Sequence, residues 1–62
     1  MTIGKRISAG RKALGLSQEA LGERLGVSRQ AVSKWEMNES APSTANLMAL
    51  AKLFNIPPEE LL

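Results

Sequence analysis

The sequence predicts an all-α fold, a compact bundle of five short helices. Three observations predict it. Apolar residues recur at helical spacing almost throughout, and no segment shows the period-two alternation of a half-buried strand. Ser17, Ser28 and Ser43 stand where helices start, while Gly15, Gly26, Asn38 and Asn55 stand where they stop. A chain of 62 residues has room for one domain and one small core, and a chain of that size buries only about 60% of the surface its unfolded form exposes.

In the first helix, Ile3, Ile7, Gly10 and Leu14 share a stripe, with Lys5, Ser8 and Lys12 opposite and Gly15 as the stop. Ser17 caps the second. Glu19 lies in its first turn, where the helix dipole favours a negative charge, and Leu21 and Leu25 face inward. Gly26 ends that helix, and Ser28 caps the third only two residues later. Ala31, Val32 and Trp35 share one arc of helix three, while Arg29, Gln30, Ser33, Lys34 and Met37 share the other. Asn38 ends it, and a polar loop runs to Pro42. Ser43 opens helix four, whose inward stripe is Leu47, Leu50, Ala51 and Phe54, and Asn55 closes it. Pro57-Pro58 followed by Glu59-Glu60 predicts the start of a fifth helix, with proline in the first turn and acids near the positive dipole end. That helix has barely one turn by Leu62, so residues 1–62 are expected to be the N-terminal domain of a longer protein.

Composition removes whole classes of function. There is no Cys, His or Asp, so neither a disulfide nor a thiolate metal site is available, and no plausible nucleophile–base pair is offered. Neither an enzyme nor a cofactor or metal is expected. No apolar run approaches the ~20 residues of a membrane span, and Met1-Thr2-Ile3-Gly4-Lys5-Arg6 lacks the apolar stretch of a secretory signal. A cytoplasmic protein without a membrane partner is expected. The net charge is only +2, but it is uneven. Residues 1–38 hold seven Lys/Arg against three Glu, and residues 39–62 hold one Lys against three Glu. A basic end suits a polyanion, although charge alone fits a solvated surface as well.

The most informative stretch is Gln18–Trp35. Gly22 lies in mid-helix, where glycine costs about 1 kcal/mol relative to alanine, and a close approach of helix three explains it. Leu21, Leu25, Val27, Val32 and Trp35 then form a wedge between two helices joined by a tight Gly26-Val27 turn. Such a turn forces a steep crossing, the geometry of a helix-turn-helix.

From these residues the chain resembles the phage repressor and Cro helix-turn-helix proteins, the Xre family, whose fold is lambda repressor-like. The resemblance is carried by Leu16-Ser17-Gln18-Glu19-Ala20-Leu21, Leu25-Gly26-Val27-Ser28 and Val32-Ser33-Lys34-Trp35-Glu36. Ala49, Leu50, Ala51, Leu53 and Glu60-Leu61-Leu62 extend it to the end. It implies sequence-specific binding of double-stranded DNA by a transcriptional regulator, a repressor by family precedent, acting as a homodimer on a palindromic operator with helix three in the major groove. Arg29 then suits a guanine, whose O6 and N7 match its planar fork, and Gln30 suits an adenine. Ser33 and Lys34, one turn on, are further base-contact candidates. Gln18, Ser28, Arg11, Asn38 and Ser40 are the phosphate candidates, Gln18 by family precedent and at a helix N-terminus that itself attracts phosphate.

Similar proteins pair an Arg and a Glu at the places of Arg11 and Glu36, which implies a tie between helices one and three. Trp35 lies on the inward arc and is read as core rather than as a base-stacking platform. The alternative is a helix-turn-helix that contacts protein, as in an adaptor or the DNA-binding half of an antitoxin. The polar-to-basic face of helix three speaks for DNA, and no small-molecule ligand is implied.

Overall fold

Each helix begins on a side-chain cap. In the computed structural model, which describes all of Met1–Leu62, the Thr2, Ser17, Ser28 and Ser43 hydroxyls accept from the backbone N–H of Lys5, Ala20, Ala31 and Asn46. Each cap satisfies one of the four donors that a helix start leaves open. The helices that follow are α1 Ile3–Ala13, α2 Gln18–Leu25, α3 Arg29–Glu36 and α4 Thr44–Phe54. Behind each lies a residue in the left-handed region: Gly15 at φ 70°, Gly26 at 73°, Asn38 at 59° and Asn55 at 58°. These are the four stops expected from the sequence.

The caps fix where the helices lie, and apolar packing fixes how they meet. Ile7, Leu21, Val32, Trp35, Leu50, Ala51 and Leu61 form the buried core, with Ile3, Leu25, Val27, Ala31, Leu47 and Phe54 among those packed against it. Every helix contributes from its predicted stripe. α3 packs against both α1 and α2, while α4 closes the base of the bundle. No buried side-chain polar atom lacks a hydrogen-bond partner. No helix is long and apolar enough to cross a membrane.

The fifth element differs from the expected helix. It is a single 3₁₀ turn, Pro58–Glu60. Glu60 N–H and Leu61 N–H each reach back three residues, to Pro57 and Pro58. The prolines suit a helix start, but one turn is too short to propagate an α-helix. The turn drives Leu61 into the core at 1% exposure, a role its place beside the chain end did not announce. Leu14 departs the other way. It has the right phase for the α1 stripe, but α1 ends at Ala13 and Leu14 is only its C-cap. Leu14 therefore lines an open groove with Ala13, Phe54 and Ile56 and stays 48% exposed.

Gly22 is a position of close approach, as its place in mid-helix implies, but its neighbour is the turn rather than a side chain of α3. A Cβ there would lie 2.7 Å from the Val27 carbonyl oxygen and 3.3 Å from Ser28 backbone atoms. A second close approach involves Gly4, where a Cβ would meet the Trp35 and Glu36 carbonyl oxygens at 2.6 Å. The N-terminus of α1 is thus seated directly on the C-terminal end of α3.

Candidate nucleic-acid interface

α3 is mounted by a turn with little freedom. Gly26 breaks α2 in the left-handed region, Val27 N–H bonds the Gly22 carbonyl at 2.9 Å, and Ser28 caps α3 at once. The inner face of α3 is fully committed, with Val32 at 0% and Trp35 at 5% exposure. Its outer face is open: Ser28, Arg29, Gln30 and Lys34 are exposed, and Ser33 is half-buried at the edge. Arg29 and Lys34 are unpaired, because the one ion pair of the molecule lies elsewhere. The Ser28 hydroxyl is occupied as a cap, accepting from Ala31 N–H at 3.1 Å.

That ion pair is the predicted Arg11–Glu36 tie. Arg11 donates from Nε to Glu36 Oε2 at 2.7 Å and from Nη2 to Oε1 at 3.0 Å, the two-pronged geometry of a strong charge-assisted pair. Arg11 Nη1 also donates to the Leu16 carbonyl at 2.9 Å, and Gln18 Nε2 donates to Glu36 Oε1 at 3.2 Å. One carboxylate therefore joins α1, α2 and α3. The side chains of Arg11 and Glu36 are only 12% and 7% exposed. Burial pushes the Glu36 carboxyl upward, but the hydrogen bonds from Arg11 and Gln18 and the guanidinium charge outweigh it, so its pKa lies below the ordinary value. The hydrogen bond to Glu36 correspondingly raises Arg11. The only acid of α3 is turned inward and neutralised, which leaves the outer face positive.

The phosphate candidates thus divide. Gln18, at the first turn of α2, spends one amide hydrogen on Glu36 and keeps the other. Most of the Arg11 guanidinium is used inside the fold. The Asn38 side chain points to α1, where its Oδ1 accepts from Gly4 N–H at 3.1 Å and its Nδ2 donates to Thr2 Oγ at 3.0 Å. Ser40 is exposed in the loop that Asn38 opens. Thr2 and Gly4 escaped the sequence reading. The available signal was that Gly4 shares the inward arc of Ile3 and Ile7, where a glycine marks a backbone approach. No group of three His, Cys, Asp or Glu side chains is placed to hold a metal ion.

Helix-turn-helix is also the description of the family model that matches residues 7–61. The chain belongs to that family. Helix-turn-helix relatives include repressor protein C2 of Salmonella phage P22, 47% identical over 97% of this chain and 28% of the relative. The helix-turn-helix transcriptional regulator DicA of Escherichia coli K12 is 40% identical over all of this chain and 46% of its own length. The activator BcrR of Enterococcus faecalis is 37% identical over all of this chain and 30% of its own. This chain therefore spans less than half the length of these relatives. Among solved structures, the crystal structure of the P22 c2 repressor in complex with a synthetic operator superposes with a TM-score of 0.94 at 45% identity, covering 100% of this chain and 94% of that one.

Proposed function

We propose that this helix-turn-helix domain binds double-stranded DNA in a sequence-specific manner and serves a cytoplasmic transcriptional regulator, a repressor. The observation that carries this reading is the outer face of α3. Arg29, Gln30 and Lys34 stand free on a short helix whose other face and C-terminal end are locked. A rigid helix with uncommitted bidentate donors near its N-terminus suits the major groove, where Arg reads G and Gln reads A. Lys34 and, at the edge, Ser33 extend the base contacts. Gln18, the free N–H groups at the start of α2, Ser28 and Ser40 serve phosphates. Arg11 and Asn38 act mainly by holding that surface in place. The likeness to a repressor solved with its operator supports the assignment, and pairing on a palindrome follows the geometry of such proteins.

Selection of bound sequences from a random duplex pool tests the reading. It should return a palindromic consensus with half-sites about one helical turn apart. Affinity should also fall with salt at a log–log slope of about −0.9 per phosphate neutralised. Binding that is absent at low salt, or flat across the series, sinks the proposal. Because relatives include both a repressor and an activator, a promoter reporter carrying the consensus decides the sign.

A further inference from the structure

We infer that Thr2 and Asn38 form a positioning clasp that holds the loop after the recognition helix in its DNA-binding arrangement; this rests on the DNA-binding reading above. Asn38 is a non-glycine residue at φ 59°, a conformation that glycine adopts at lower cost. Its side chain shows what asparagine adds there. Oδ1 takes the Gly4 N–H, one of the donors that the first turn of α1 leaves open, and Nδ2 holds Thr2 Oγ. Thr2 Oγ in turn caps Lys5 N–H at 3.2 Å. The Gly4 Cα–H seat against the Trp35 and Glu36 carbonyls brings the two backbones close enough for this to happen.

The loop needs such a hold. Met37, Asn38, Glu39 and Ser40 are all exposed. Their backbone N–H groups only fold back on α3, Asn38 to Trp35, and Glu39 and Ser40 to Lys34. The side-chain bonds from this loop to another helix all pass through Asn38. Removing them leaves the exposed loop through Ser40 free to fluctuate, although Glu36 stays held by Arg11 and Gln18, and that freedom must be surrendered again on binding. The clasp thus acts at a distance. Neither Thr2 nor the Asn38 amide belongs to the outer face of α3, yet both set how well the loop that follows it is organised.

The test uses the operator selected above, below the melting temperature of every variant. Thr2→Val deletes the hydroxyl. Asn38→Gly deletes the amide while relieving the left-handed φ, so the fold is retained. Each should weaken operator binding about three- to tenfold. The double variant should weaken binding by less than the product of the two singles, because the Asn38–Thr2 bond is lost in both. Thr2→Ser, which keeps the oxygen, should bind like the parent. Amide hydrogen exchange at Glu39 and Ser40 should speed up in Thr2→Val. The proposal is overturned if Thr2→Val and Asn38→Gly both bind like the parent, since the clasp would then serve stability alone. It is equally overturned if only Asn38→Gly loses affinity, since Asn38 would then be a direct ligand. A parent that fails to bind any duplex refutes the DNA reading itself, a result separate from either of these.

Discussion

The two ends of α3 are built on opposite plans. At its C-terminal end Glu36 is gripped by Arg11 and Gln18, the Trp35 and Glu36 carbonyls carry Gly4, and Asn38 clasps the start of α1. At its N-terminal end Ser28, Arg29 and Gln30 are exposed, and the only side-chain hydrogen bond is a local cap. The polar groups at one end are consumed by the fold, and those at the other are left exposed. On the function proposed above, the difference separates residues that hold the helix from residues that would read with it. Recognition by short bidentate contacts demands such a division, because a side chain that reads a base edge must be held to within a fraction of an ångström by something else.

The largest effect that can break this division comes from the anchor. Trp35→Ala should destabilise by about 3–5 kcal/mol, comparable to the whole stability of a small domain, and a thermal melt should show much of the population unfolded. A smaller loss, about 1.5–3 kcal/mol, is expected for Glu36→Ala, which leaves a partly buried guanidinium unpaired. Combining it with Arg11→Ala should be milder than the sum of the singles in a denaturant titration. Strict additivity would show that the pair does not act as a unit.

At the other end the balance inverts. Arg29→Ala and Gln30→Ala should each change stability by less than about 0.5 kcal/mol. Binding to the selected operator should nevertheless drop by about 1–3 kcal/mol, with specificity relaxed at one base pair per half-site. Should both variants bind like the parent, α3 is not the reading helix. The smallest effect is that of acid. The folded-state pKa of Glu36 is depressed, so its contribution is fully present above the unfolded carboxyl value of about 4.3 and is lost as pH falls through the folded value. Melting temperatures measured down this range should fall more steeply for the parent than for Glu36→Gln. Parallel slopes would remove Glu36 from the account of acid sensitivity.

Local chemistry was legible in the sequence and tertiary chemistry less so. Ser17, Ser28 and Ser43 announced three helix starts because capping depends on the next three residues alone. The inward arcs of α3 and α4 followed from spacing. The Arg11–Glu36 tie came from resemblance to similar proteins, because nothing in its 25-residue separation reveals contact. Leu14 has the phase of a core residue, but phase cannot say that α1 stops at Ala13, one residue short of it. Leu61 has no periodic run around it, and its burial depends on the direction in which Pro57 sends the chain. The sequence marks Asn38 as a stop and, through the family resemblance, as a phosphate candidate. That its amide turns toward Thr2 depends on where α1 is seated, which only the assembled bundle determines.

The four serine or threonine caps have a consequence for time. Every helix start is encoded within three residues, and each stop lies directly behind its helix. The chain can sample its short helices locally, with packing completing them, and the loops it must close are brief. Chains organised in this way have low contact order and fold within microseconds to milliseconds. Newly made copies of this domain would therefore reach their fold almost as soon as they leave the ribosome. A copy that unfolds would regain its shape before most competing encounters could trap it.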